Sequence, residues 1–426
     1  MSQGIYISVP FCRTKCSFCN FASAVFSRAV FEKYVASVCA DIAAAQQVAD
    51  ELGGALERGV DSIYLGGGTP SVLAPDQLER IFQAVRESFD VDGGAEITVE
   101  CAPGTISEEI LNALLRCGVN RVSLGVQSFV DKESSSVGRL HTRETILNDI
   151  ARLRAAGIGN ISIDLIAGLP HQTSESWDFS LSETLATGVP HVSVYMLEVD
   201  EDSRLGNELL AGGSRYHAHF VPDDDLTADL YLAACERLEG GGVQQYEISN
   251  FARQVTHSVG LWDSRHNLKY WTRQPYIGFG VDAHSMLIAA PELRADGVDA
   301  VRFATPDSLE AYQLSVVGCQ LSVAQRTQQL ASSRLPIDRQ TALEESFFLG
   351  LRLNRGVSLA SLRSEFGEKD ISNHEPAILE LVDLGLLELR DDRVRLTARG
   401  RLLSNEVFAR FINLDKAHDR EMHLPA

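Results

Sequence analysis

The 426-residue sequence contains no run approaching the ~18 apolar residues a helix needs to cross a bilayer, so no membrane span is expected. It also lacks any excess of positive charge. Its 38 Lys and Arg are outnumbered by 58 Asp and Glu, for a formal net charge of -20. Such a surface repels phosphate backbones and anionic headgroups, which argues against nucleic acid or lipid as the main partner. No basic segment followed by an apolar one opens the sequence, so no secretory signal is expected. Nor do the eight cysteines form a disulfide-like framework. Cys39, Cys101, Cys117, Cys235 and Cys319 are scattered and read as small buried residues. These absences together predict a reducing, cytoplasmic setting. Internal repeats, coiled-coil heptads and low-complexity tracts are missing as well.

The other three cysteines stand together. Cys12, Cys16 and Cys19 form a C-x3-C-x2-C pattern directly after an apolar strand, and no fourth cysteine follows closely. Four thiolates would saturate a zinc ion or an ordinary four-iron cluster. Three thiolates on a four-iron cluster leave one iron open to a ligand. The spacing favours such a cluster over a zinc knuckle short of one ligand, and over three unrelated buried thiols. Phe11, Phe18 and Phe21 flank the loop and are expected to limit water access to it.

Strand-like and helix-like segments alternate from Ile5 to about Val199. Strands are predicted over Ile5–Val9, Ser62–Leu65, Glu96–Glu100, Arg121–Val126, Ile161–Ile166 and His191–Leu197. Helical periodicity falls over Ala29–Ala49, Pro75–Ser88, Ser107–Cys117, Arg143–Ala156 and Ser174–Thr187. Six βα units imply an α/β fold with a parallel sheet, a partial (β/α)6 barrel two units short of closure. Functional groups in such barrels gather at the C-terminal ends of the strands. The three cysteines, the Gly66-Gly67-Gly68-Thr69-Pro70 loop, Glu100, Gln127 and Asp164 all fall there.

Residues 1–200 are therefore read as the barrel. Residues 201–300, irregular in pattern, are read as an extension of it, with loop-like composition around Ala289–Pro306. Residues 301–426 are read as a C-terminal α+β module. Its order of helices, a hairpin around Arg390-Asp391-Asp392-Arg393 and a last helix Ala398–Phe411 resembles a winged helix. Over Thr341–Arg420 it carries 12 Lys and Arg against 14 Asp and Glu, which favours a packing or lid module over a DNA reader.

The glycine loop lacks the Lys-Ser/Thr of a phosphate loop. Its consecutive glycines would let backbone groups approach a zwitterionic ligand closely, with carbonyls for an ammonium and amides for a carboxylate. A carboxylate at a strand end can accept both hydroxyls of a ribose. Asp164 is flanked by apolar residues and needs a partner if buried, with Arg139 the candidate.

With these residues in place, the chain resembles the radical S-adenosylmethionine (SAM) superfamily through Cys12-x3-Cys16-x2-Cys19 and the Gly-Gly-Gly-Thr-Pro loop. The segments Tyr6–Cys12, Glu96–Glu100, Gly125–Phe129 and Asp164–Pro170 resemble the oxygen-independent coproporphyrinogen III oxidase family. Within it, two departures resemble the HemW-type group of heme chaperones. The position two after Cys19 is Phe21, not a fourth cysteine, and no long segment precedes Cys12. His266-Asn267-Leu268-Lys269-Tyr270-Trp271 also matches that group's H-N-x-x-Y-W pattern.

The resemblance implies a [4Fe-4S] cluster on Cys12, Cys16 and Cys19. It implies a SAM site formed by Tyr6, Gly67, Gly68, Thr69, Glu100, Gln127, Arg139 and Asp164. It further implies heme held near His266, Asn267, Tyr270 and Trp271; if replacing His266 leaves heme binding unchanged, His217 and His219 are the next residues to test. Heme-accepting proteins, membrane-associated ones included, and an electron donor for the cluster are the implied partners. The other reading is oxidative decarboxylation of coproporphyrinogen III, against which Phe21 argues. Cys101 stands where the family usually shows Asn.

Overall fold

The fold is described from a computed structural model covering residues 2–254, 261–315, 330 and 333–412. Cys319 lies outside the described residues. No helix among them is long and apolar enough to cross a membrane.

The strands are β1 (Gln3–Val9), β2 (Gly54–Ala55), β3 (Gly59–Gly67), β4 (Asp90–Cys101), β5 (Arg121–Gln127), β6 (Asn160–Ala167), β7 (His191–Met196), β8 (Val243–Gln245), β9 (Asn250–Arg253), β10 (Tyr276–Phe279), β11 (His284–Ala289), β12 (Val298–Ala304) and β13 (Leu335–Asp338). All join one sheet in the order β13-β12-β11-β10-β1-β3-β4-β5-β6-β7-β9-β8, with β2 paired to β11. The sheet does not close, so the barrel is partial. Its six expected parallel strands, β1 and β3 to β7, lie side by side.

Register explains why these strands alternate when parallel strands covered on both faces usually read as continuous apolar runs. Ile7, Leu65, Val99, Val122 and Ile161 form one row across the sheet. Cys101, Leu124, Ile163 and Val192 form another. Both rows belong to the main apolar core. The alternate rows are polar: Tyr6, Tyr64, Thr98 and Arg121 before the first, and Glu100, Ser123, Ser162 and His191 between the two. One face of the sheet packs on helices, and the other lines a polar interior. Cys101 lies in an apolar row, so the residue beside Glu100 points away from that interior.

Helices over Pro75–Ser88 and Ser174–Thr187 match the periodicity. The helix expected over Ala29–Ala49 is two, Arg28–Ala43 and Ala45–Leu52, broken at Ala44. The break lets Val48, Ala49 and Leu52 reach the core.

The irregular middle of the chain carries regular elements among its described residues. Asp224–Gly240 is a 17-residue helix whose first turn is capped by the Asp223 carboxylate, 2.9 Å from the Leu226 amide. β8 and β9 extend one sheet edge. β10 adds a seventh parallel strand beside β1, and β11 to β13 continue the other edge antiparallel. The loop expected around Ala289–Pro306 is the helix Pro291–Ala295 followed by β12. Strands of three to seven residues are too short for their alternation to stand out from turn-rich surroundings.

The C-terminal module has helices Arg339–Leu351, Leu359–Phe366, Glu368–Ser372 and Glu375–Asp383, then a sheet ordered β14 (Val357–Ser358), β16 (Arg393–Leu396), β15 (Leu387–Arg390). Its expected last helix is split into Ala398–Leu402 and Ser404–Ala409. Its core is shared with Tyr276, Met286 and Ala300 of the larger sheet and with Ile248 in the turn between β8 and β9.

Candidate functional site

The cysteine loop leaves β1 and is fastened on three sides. Cys12 N–H donates to Ala24 O at 3.0 Å, Ser17 N–H to Val137 O at 3.1 Å and Leu205 N–H to Ser17 O at 2.8 Å. The Thr14 hydroxyl reaches Gly138 O at 2.9 Å. All three loop thiols are free. The Thr69 hydroxyl lies 3.7 Å from Cys12 Sγ, and Ser23 Oγ lies 3.8 Å from Cys19 Sγ. Burial raises the Cys12 and Cys16 thiols above their ordinary range, and the nearby Arg139 charge partly offsets it.

The glycine loop fits against this one. Gly68 N–H donates to Val9 O at 2.9 Å and Thr69 N–H to Phe11 O at 2.7 Å. A Cβ on Gly68 would lie 2.7 Å from Val9 O and 2.8 Å from Phe11 O. The glycines therefore serve close approach of two backbones. The Gly68 and Thr69 amides, expected to face a carboxylate, are already engaged. The expected phenylalanine screen also changes. Phe11 stacks on Phe31 in the core at 3.9 Å, Phe21 is 48% exposed, and Phe18 alone packs beside the loop, against the Val137, Ile166 and Leu169 cluster.

Below the loops lie the strand-end polar groups. Tyr64 Oη donates to Glu100 Oε1 at 2.7 Å, and Tyr6 stacks on Tyr64 at 6.2 Å. Burial and the Asp164 charge lift Glu100 from its ordinary 4.5 to about 7, against the Tyr64 hydrogen bond and Arg139, which lower it. Asp164 accepts from Ser123 at 2.9 and 3.0 Å and from Ser162 at 3.3 Å, with Ser193 as a further donor. Hydroxyls, rather than the expected Arg139, satisfy it. Arg139 instead lies over Gly125, where a Cβ would come within 3.3 Å of its guanidinium. Gln127 has φ 67° and sits at a register shift, so a bulge turns its side chain at the strand end. Tyr64, Ser123, Ser162 and Ser193 belong to this site and were not singled out in the sequence. Ser162, two residues before Asp164 on the same strand, carries a sequence signal; Tyr64, Ser123 and Ser193 reach the site from other strands through register.

The interior tests what it can hold. Tyr6, Tyr64, Glu100 and Asp164 are only half-buried although they face inward, so they line a space rather than fill it. The Nε of Arg139 and Oγ1 of Thr98 are buried with no hydrogen-bond partner among the described residues. Unpaired buried polar atoms around a lined space suit a polar ligand. Among the described residues no group of three His, Cys, Asp or Glu is gathered to hold a single metal ion. Three free thiols spread along one loop suit a larger, multi-iron group better than a mononuclear site, which draws its sulfurs to ~2.3 Å from one centre.

The expected heme motif lies elsewhere. Helix Arg265–Trp271 packs under the N-terminal ends of β1 and β3, away from the cysteines; Lys269 Nζ reaches Ser2 O at 2.8 Å and pairs with Asp61 at 2.7 Å. His266 is 1% exposed. Its Nδ1 is 3.2 Å from Ser62 Oγ, its Nε2 is 2.9 Å from Tyr270 Oη, and its ring stacks on Tyr64 at 5.4 Å. Burial, then Lys269, pushes its pKa down to about 3. Trp271 faces the C-terminal module beneath Arg352, at 4.2 Å. Asn267 caps nothing in the site; its amide N–H is 3.4 Å from Ser264 Oγ at the helix start. In this arrangement neither nitrogen of His266 is open to an iron.

Known proteins were compared with this geometry. The Radical SAM superfamily pattern matches residues 6–182, and the HemN C-terminal domain matches residues 337–403. The chain is 31% identical to "Heme chaperone HemW" of Lactococcus lactis, covering 96% of each chain. It is 34% identical to the protein of the same description from Synechocystis, over 85% of this chain and 81% of that one. Among solved structures, the coproporphyrinogen III oxidase of Escherichia coli superposes with a TM-score of 0.76 at 22% identity, over 96% of this chain and 90% of that one. That likeness establishes the fold.

Proposed function

We infer the function from one premise: the chain belongs to the heme chaperone HemW family. We propose that it is a radical-SAM-type heme chaperone, which binds a [4Fe-4S] cluster on Cys12, Cys16 and Cys19, binds SAM inside the barrel, and passes heme to acceptor proteins. The cytoplasm is its proposed setting. The observation that carries this reading is the convergence at one barrel mouth of three free thiols, the half-buried Glu100 and Asp164, and the unpaired Arg139 Nε.

When bound, the cluster supplies a one-electron reductant with an open iron for SAM. The chain does the rest. Thr69 and Ser23 place hydroxyls 3.7 Å from Cys12 sulfur and 3.8 Å from Cys19 sulfur, contacts that would orient the two ligating sulfurs. Arg139 supplies positive charge between the cysteines and Glu100. Asp164, held by three serine hydroxyls, and Glu100, held by Tyr64, are fixed acceptors for the hydroxyls of a ribose. Gln127 and Tyr6 close the sides of the same space.

Phe21 occupies the position where the oxidases resembled in sequence carry a further cysteine, which favours the chaperone over the oxidase reading. The test uses anaerobically reconstituted protein. Heme loaded on it should move to a heme-free acceptor such as apo-myoglobin faster than heme does from buffer, with no porphyrinogen consumed. Turnover of coproporphyrinogen III with release of 5′-deoxyadenosine would overturn the proposal.

A further inference from the structure

Three histidines gather on the same rim as the cysteines. His171 follows β6, and His217 and His219 lie in the segment between β7 and the helix Asp224–Gly240. His171 Nε2 is 3.3 Å from His217 Nδ1. Phe220 covers His171 with ring centroids 4.1 Å apart and stands 4.2 Å from His219. The two segments are joined by His171 N–H donating to Phe220 O at 3.0 Å. The Glu208 carboxylate shapes the second segment by accepting the amides of Tyr216 at 2.8 Å and Ala218 at 3.1 Å. Glu208 belongs to helix Arg204–Ala211, which Leu205 fastens to the cysteine loop.

We propose that this rim is where the chaperone carries its iron porphyrin, with His217 Nε2 as the axial ligand, His171 as the residue that orients it, and Phe220 as the apolar contact to the macrocycle. The proposal rests on the heme reading above and deepens it. An imidazole ligates through one nitrogen, and the hydrogen bond made by the other fixes its tautomer and direction. His217 has this arrangement: Nδ1 faces His171, and among the described residues no hydrogen bond engages Nε2. His266 does not, because both its nitrogens are engaged and its ring is sealed.

The surroundings suit an amphipathic disc. Phe220 is 47% exposed, and Leu209 and Leu210 on the neighbouring helix are also exposed. Propionates need cations. Lys132 lies within electrostatic reach of His171, and Arg215 sits over Tyr216 at 5.3 Å. His171 and His217 both hold positive φ, 70° and 61°, a conformation non-glycine residues seldom take and one that collects at functional sites.

The test is a titration of the full chain, without cluster, by ferric protoporphyrin IX, read by Soret position and by dissociation constant. A parallel titration uses Zn²⁺ alone. Wild type should show an imidazole-ligated spectrum. His217→Ala should lose it; His171→Ala should weaken binding roughly 10–100-fold, as loss of an orienting partner does. Phe220→Ala should weaken binding with the ligation spectrum kept, and reports on the rim should a histidine variant fail to fold. His266→Ala should lower the melting temperature and keep the heme spectrum. An unchanged spectrum in His217→Ala, or its loss in His266→Ala alone, would refute the rim while leaving the chaperone reading intact. Absence of any heme binding by wild type would refute both. Zn²⁺ uptake lost in His217→Ala, without heme binding, would make the rim a bare-ion site and overturn the proposal.

Discussion

Glu100 shows how a single residue is kept ready at the expense of stability. Its carboxyl titrates near 7 in the folded chain, against an ordinary 4.5. A folded-state pKa raised above the unfolded value means the native protein holds a proton that the unfolded chain has released. Stability therefore falls as pH rises from about 4.5, and the loss is complete above about 7. The shift corresponds to at most about 3 kcal/mol, less where water in the lined space reaches the carboxylate. Glu100→Gln should raise the melting temperature of the ligand-free protein at pH 8, with no gain at pH 4. Equal melting curves at pH 8 would show that Glu100 carries no such strain. The same variant should lose SAM affinity, a trade of function for stability that is common at such sites.

At the scale of elements, the pairing of β1 with β3 does not end with the strands. It continues through the Gly68 and Thr69 amides into the cysteine loop, so one backbone seam sets the position of the thiols. Gly68→Ala should split that seam, because its Cβ meets Val9 O, Phe11 O and Phe11 N at 3.0 Å or less. After reconstitution it should show strongly reduced iron–sulfur absorbance near 400 nm with native far-ultraviolet circular dichroism; full absorbance would mean the loop adjusts freely. This seam was beyond the sequence, which showed only that three glycines face a ligand or a turn. The six parallel strands were legible because inward polar and outward apolar residues alternate through each one. The strand-end carboxylates were legible for the same reason. Their partners were not: Asp164 reads as needing a cation, yet three hydroxyls satisfy it, Ser162 from its own strand and Ser123 and Ser193 from the two neighbouring strands through register that only the fold supplies. β10 was hidden because Tyr276–Phe279 is four residues between a proline and a glycine. The H-N-x-x-Y-W segment reads as a heme motif by resemblance but folds as a plug, since Ser62, Tyr64 and Glu96 engage His266 below the site.

Across the whole molecule, the C-terminal module is bound to the barrel by more than apolar contact. Glu345, on the module's first helix and buried, accepts Arg273 at 3.1 Å and Arg302 at 3.0 Å; Arg273 also pairs with Asp299 at 2.9 Å. These arginines flank the strands β10 to β12 that lie beside β1, and Arg352 from the module covers Trp271 of the plug helix. The module therefore braces the barrel beneath the site, at the end opposite the cysteine loop. A buried ion pair is a weak source of net stability, but removing one partner strands the other charge. Glu345→Ala leaves Arg302 without its carboxylate and Arg273 with Asp299 alone, and should cost about 3 kcal/mol. Urea denaturation should show a lower midpoint, and limited proteolysis should release a module fragment at urea concentrations where wild type is intact. Replacing Glu345, Arg273 and Arg302 together by Leu, Met and Met should recover most of the loss, because the one charge left behind, Asp299, is about a third exposed and can be solvated. Recovery in the triple variant with loss in the single one identifies stranded charge as the cause. If both variants unfold alike, the cluster matters through its shape, and the module's attachment rests on the shared apolar core of Tyr276, Met286 and Phe347.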